Sequence, residues 1–146
     1  PRLLSEGVCV ALGTDGASSN NNLDMLEEIN LAATLHKVAN YDPEAVPAGE
    51  ALRMGTMYGA KAVGLSSVGV LKEGCKADLV LFDMNSPAWT PRHDPVSLLV
   101  YSANASSADT VIVDGRILME KRELLTLDEE RIMFETKRRV KHLLAH

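Results

Sequence analysis

Several classes of function are excluded by what this chain lacks. Cysteine is scarce, with two in 146 residues. Cys9 lies in an apolar run and Cys75 in a turn region, so they make no metal or redox motif, and the setting they fit is a reducing cytoplasm. A basic excess is missing as well, since 15 Lys and Arg face 20 Asp and Glu for a formal net charge of −5. Nucleic acid is therefore not expected as a partner, because phosphate binding needs a basic face. The one concentrated basic stretch, Lys137-Arg138-Arg139-Val140-Lys141-His142, follows the acidic Asp128-Glu129-Glu130. Acid first and base last is the order that a helix dipole favours, so the stretch reads as a solvated helix. No apolar run approaches the roughly 20 residues of a membrane span, so no membrane partner is expected. The four histidines, His36, His93, His142 and His146, form no His-x-His pair. The chain opens Pro1-Arg2-Leu3-Leu4 with no initiator Met and no targeting segment, which reads as a start in the middle of a longer protein.

What the chain does contain is organised around Gly13-Thr14-Asp15-Gly16-Ala17-Ser18-Ser19-Asn20-Asn21-Asn22. Before it, Val8-Cys9-Val10-Ala11-Leu12 is a continuous apolar run with the composition of a strand buried on both faces, the habit of parallel sheets. From Leu23 onward the periodicity is helical. Asp15 is thus expected just past the carboxyl end of a buried strand, the edge where barrels and open α/β sheets place their chemistry. An Asp-Gly turn with an Asn-rich helix cap is the plainer reading of the same residues. The run of short polar residues after Asp15 is longer than a tight turn requires.

The segment from Val10 to Met25 resembles the last barrel strand and following loop of the amidohydrolase superfamily. Its nearest likeness there is to the 5-methylthioadenosine/S-adenosylhomocysteine deaminases, beside the chlorotriazine hydrolases and guanine deaminases. The likeness continues through Glu50-Ala51-Leu52 to Gly59-Ala60, Gly74 to Asp83, and Val111-Ile112-Val113-Asp114-Gly115. A complete (β/α)8 barrel takes about 250 residues, so the resemblance implies the C-terminal portion of a longer enzyme. It further implies the last strand-helix units of a metal-dependent barrel over residues 1–65. The C-terminal part of a small β-sandwich, with a hairpin and a terminal helix, would follow over residues 66–146.

Read in order, Arg2 to Gly7 is the end of a helix with Gly7 as its C-terminal cap. A helix capped by Asn21 or Asn22 follows the key loop, with Asp24, Glu27 and Glu28 in its first turns. Its stripe of Met25, Ile29, Ala32, Leu35 and Ala39, widened by Leu31 and Val38, is expected to pack on a sheet. A second helix runs from about Ala48 to Met57, with a continuation to Val63 ending at Gly64, and its small residues suit close approach to an element outside this chain. After Ser66 the period changes to two. Ala77 to Asp83 reads as a strand and Asn85 to Asp94 as a loop. Asp94 caps a short helix with Pro95 at its first position. Asp114-Gly115 joins two strands as a hairpin, and Thr126 or Asp128 caps a final helix from about Leu127 to Leu144.

The resemblance also implies a chemistry. Hydrolytic deamination of a purine-like ring needs a strong nucleophile at neutral pH, which a zinc ion supplies by lowering the pKa of bound water to about 7. A neighbouring carboxylate moves the proton. Asp15 matches the aspartate that the superfamily uses at the end of its eighth strand for metal contact and proton transfer. Ser18 and Asn20 are candidate substrate contacts, with helix capping and turn formation as the alternative for them and for Ser19 and Asn22. The metal implied is zinc, with iron possible, and the partner is a small purine nucleoside-like substrate, in a homo-oligomer of the full-length enzyme. The superfamily's histidine ligands have no counterparts here, and one oxygen ligand cannot hold zinc. These 146 residues by themselves are therefore not expected to be active. The rival readings are a non-catalytic fragment or assembly module, or an amidohydrolase of chlorotriazine or guanine type.

Overall fold

The computed structural model describes residues 1–145. Helix α1 (Arg2–Ser5) ends as expected at Gly7, whose φ of +74° suits glycine alone at no cost. Its amide donates to the Leu4 carbonyl, and Val8 N donates to Leu3 O, both at 3.0 Å. The next segment corrects the first expectation. Val8 to Leu12 is not a strand within a sheet, and it is not covered on both faces: Val8 is exposed and the rest half-buried. A parallel strand exists only through ladder bonds to neighbours, and no strand of the described residues runs beside it. It is held instead by Leu12 N donating to Met54 O at 3.2 Å and by the packing of Val10 and Leu12 against the core.

That core is helical. Helices α3 (Met25–Asn40), α4 (Ala48–Gly55) and α6 (Pro95–Tyr101) bury Ile29, Ala32, Ala33, Ala48, Ala51, Met54 and Val100 against one another. The apolar stripe of α3 thus packs on two helices and not on a sheet. Leu35 and Val38, expected within the stripe, are exposed. The partner of α4 is likewise present within this chain. Gly55 shows how close the approach is: a Cβ there would stand 2.5 Å from Ile29 Cδ1. Asn30 Nδ2 donates to Val100 O at 2.9 Å, which ties α3 to α6 across 70 positions of sequence.

The expected long second helix is broken at Thr56 (φ −126°, ψ −95°), and α5 (Met57–Ala62) resumes beyond it. The Thr56 hydroxyl donates to Leu52 O at 2.7 Å, occupying the carbonyl that a continuing helix would use for the Thr56 amide.

After residue 66 the chain forms a four-stranded antiparallel sheet in the order β1 (Leu79–Phe82), β2 (Ala108–Val113), β3 (Arg116–Glu120), β4 (Glu123–Leu124). Ile112 stands opposite both Leu79 and Ile117, which sets the register across three strands. The hairpin at Asp114-Gly115 forms as expected, with φ of +51° and +76°, the left-handed pair of a type I′ turn. It is braced by Asp114 N donating to Asp78 Oδ1 at 2.6 Å and by Lys76 Nζ on Asp114 Oδ2 at 3.0 Å. The loop before α6 contains a 3-10 turn, Pro87–Trp89, and Trp89 is buried with its ring centroid 6.0 Å from that of Phe82. Helix α6 starts as expected, with Asp94 accepting from Val96 N at 3.0 Å and Pro95 in the first turn. Helix α7 (Glu129–Leu143) is capped by Asp128 through Arg131 N at 2.9 Å and buries none of its residues.

Candidate functional site

Asp15 follows the extended segment directly and adopts φ +58°, a left-handed conformation that Asp tolerates better than most residues. Its carboxylate is exposed. Gly16 N donates to Asp15 Oδ1 at 2.7 Å, and Thr14 Oγ1 donates to the Asp15 carbonyl at 3.0 Å. The Gly16 N–H, with the Ser19 hydroxyl as a second donor, holds the carboxyl below the usual carboxylate range. In the structure the hydrogen bond of the Ser19 hydroxyl goes to Gly16 O at 3.0 Å. Asp15 is therefore an ionised acceptor at neutral pH.

The loop beyond Asp15 is not the simple helix entry expected. Gly16 caps one helical turn, α2 (Ala17–Asn20), in which Ser19 N and Asn20 N both donate to Gly16 O at 3.0 Å. Asn21 then reverses direction at φ +64°. The N-cap of α3 is Asp24 and not Asn21 or Asn22. Its Oδ1 accepts from Leu26 N at 2.9 Å and Glu27 N at 3.3 Å, and its Oδ2 accepts from Ala105 N at 3.2 Å. A carboxylate at this position serves the free amides and the helix dipole together. The asparagine side chains are drawn elsewhere. Asn20 Nδ2 donates to Glu28 Oε1 at 3.0 Å, and Asn22 Nδ2 bonds Glu27.

The structure thus brings Ser19 to Asp15, leaves Ser18 exposed on α2, and turns the half-buried Asn20 amide toward α3. Glu28 is the residue of this region that sequence reading assigned only to the helix dipole. Its signal was an Asn-rich loop followed by two adjacent glutamates.

The histidines do not join the site. His36 is half-buried on α3, His93 is exposed in the proline-rich loop, and His142 is on α7, while His146 lies outside the described residues. Among the described residues no three His, Cys, Asp or Glu side chains are grouped to hold a metal ion. Zinc takes about four protein ligands in a closed site and three in an open one. The one carboxylate offered here does not fit that need alone.

Residues 1–118 match the amidohydrolase family. The chain is 59% identical over 143 residues to a 5-methylthioadenosine/S-adenosylhomocysteine deaminase of Dictyoglomus thermophilum, covering 98% of this chain and 34% of that protein. It is 55% identical over 142 residues to the protein of the same name from Pelotomaculum thermopropionicum, covering 97% and 33%. Among solved structures, an adenosine deaminase from Xanthomonas campestris with bound zinc superposes with a TM-score of 0.95 at 32% identity, covering 99% of this chain and 33% of that one. An atrazine chlorohydrolase from Arthrobacter aurescens complexed with zinc gives a TM-score of 0.83 at 35% identity, covering 92% and 30%. The chain spans about one third of the length of the curated relatives it matches.

Proposed function

The chain belongs to the amidohydrolase family, and from that premise we propose that it forms the C-terminal portion of a metal-dependent aminohydrolase acting on adenosine-like thioethers such as 5-methylthioadenosine and S-adenosylhomocysteine. The observation that carries the reading is Asp15: an exposed carboxylate held ionised at the end of an extended apolar segment. The named relatives, at 59% and 55% identity, support the substrate class.

In this reading residues 1–65 supply the last strand-helix units of the barrel. Residues 66–146 supply the C-terminal part of a β-sandwich, with α6 returning to pack on α3 and α4. Val8 to Leu12 becomes a ladder strand once neighbouring strands flank it. The complete enzyme is a cytoplasmic homo-oligomer, and Cys9 and Cys75 remain thiols, as they are here. Asp15 would contribute one oxygen ligand to a divalent metal, zinc or iron, which would supply a water of lowered pKa, with the remaining ligands coming from residues other than these.

The chain's own part in the reaction is proton handling and placement. Water adds to the ring carbon bearing the amino group, the C–N bond breaks, and ammonia leaves. An Asp15 carboxylate oxygen takes the proton released by the water and returns it to the departing nitrogen. Its lowered pKa keeps the carboxylate in the basic, proton-accepting form at neutral pH. Of the two loop residues expected to meet the substrate, Ser18 is exposed and offers its hydroxyl, whereas the Asn20 amide is bonded to Glu28.

Replacement Asp15→Asn in the complete protein is expected to lower turnover of 5-methylthioadenosine by about 100-fold or more while thermal unfolding stays unchanged. Retained turnover would remove Asp15 from the chemistry. The exposed apolar residues of α7, among them Ile132, Met133, Phe134 and Leu143, favour the second reading, an assembly module. That reading requires concentration-dependent association of the chain, which sedimentation would detect.

A further inference from the structure

We infer that Glu28 is a positioning residue for Asp15, acting through Asn20; the inference rests on the reading that Asp15 is the reacting carboxylate. Asp15 leads into α2, a single turn with no buried residue. A helix of that length has no stability of its own, so something else must hold it. Among the described residues, two side-chain bonds tie the loop to α3: Asn20 to Glu28 and Asn22 to Glu27.

The two ties differ. Asn22 and Glu27 are exposed, so water competes for their bond, whereas Asn20 and Glu28 are both half-buried. Of two hydrogen bonds to carboxylate oxygens, the one partly shielded from water is the stronger. Glu28 is itself fixed, because its amide donates to Asp24 O at 3.2 Å and the next residue, Ile29, is 3% exposed in the core.

The connection from there to Asp15 consists of three hydrogen bonds. Asn20 Nδ2 donates to Glu28 Oε1 at 3.0 Å, Asn20 N donates to Gly16 O at 3.0 Å, and Gly16 N donates to Asp15 Oδ1 at 2.7 Å. Glu28 therefore sets where α2 sits, and α2 sets the angle of the carboxylate. This gives the half-buried Asn20 amide a place inside the protein as a strut.

The test uses the complete protein with 5-methylthioadenosine, and four variants: Glu28→Ala, Glu28→Gln, Asn20→Ala and the Asn20→Ala/Glu28→Ala double. Misplacing a reacting group costs about 10- to 100-fold, so Glu28→Ala and Asn20→Ala are each expected to lower kcat by that much with KM changed far less. Glu28→Gln, which keeps the accepting oxygen, is expected to retain most of kcat. The double variant is expected to be no worse than the worse single, as for two members of one interaction. Amide hydrogen exchange across residues 16–22 provides a readout independent of turnover. It should quicken in Glu28→Ala and Asn20→Ala and stay near wild type in Glu28→Gln.

Wild-type kcat and exchange in Asn20→Ala, which leaves α3 intact, would overturn the inference even if Glu28→Ala failed to fold. So would additive losses in the double variant, or a kcat loss in Asn20→Ala with unchanged exchange, which would make Asn20 a substrate contact instead. An inactive Asp15→Asn protein beside a fully active Asn20→Ala protein sinks this inference alone. An active Asp15→Asn protein sinks the proposed function.

Discussion

The helical part of the molecule and the sheet part are built by opposite means. Helices α3, α4 and α6 share a buried core drawn from segments as far apart as Ile29 and Val100, although Leu35 and Val38 of α3 stay exposed. The sheet is assembled from neighbours in sequence, β1 excepted, and leaves Val80, Leu81, Val113 and Ile117 exposed, with α7 buried nowhere. One part derives its stability from non-local packing, the other its shape from turns and caps. Their responses to substitution should differ accordingly.

The largest effect is expected at Met54, 4% exposed between the helices. Met54→Ala should cost about 2–5 kcal/mol, read as a lowered urea midpoint of the chain. A loss below 0.5 kcal/mol would mean that the helical core does not carry the fold. Next comes Asn30→Ala, which breaks the bond to Val100 O and leaves a buried carbonyl without it, at about 1–3 kcal/mol. This measures how firmly α6 belongs to the helical part. On the sheet side, Gly115→Ala places a Cβ at φ +76° in the hairpin and should cost about 1 kcal/mol, with loss of β-sheet signal rather than helix. The smallest effect is expected at Phe134, exposed on α7: Phe134→Ala should change stability by no more than about 0.5 kcal/mol in the chain alone. A larger loss in the complete protein than in the chain would show that α7 is covered there.

The same contrast governs what could be read in advance. Local signals were legible wherever one or two residues dictate the backbone. Gly7 ends α1, Asp94 and Pro95 start α6, Asp114-Gly115 turns the hairpin, and Asp128 caps α7. The expectations that failed depended on a partner distant in sequence or on local side chains competing for the same backbone group. The stripe of α3 is covered only in its first half, at Ile29 and Ala32, and helices and not a sheet lie against it. The partner of α4 was expected outside the chain and is α3 and α6. The break at Thr56 depends on one hydroxyl competing for one carbonyl. At the site, Asp15 stood out because a polar loop follows an apolar run. The Asn20–Glu28 strut did not stand out, because nothing in an Asn-rich stretch says which amide will turn inward.

The amino-acid sequence by itself therefore determined the hairpin turn, the caps of α1, α6 and α7, the change from helical to extended period, and the position of Asp15 at the head of its loop, since each depends on backbone preferences within a few residues. Only the tertiary structure decided which faces are covered, which residue caps α3, and what holds the Asp15 loop in place. Those outcomes depend on competition among hydrogen-bond partners and apolar surfaces that meet only when the chain is folded, and the spacing of residues along it carries no record of which partner wins.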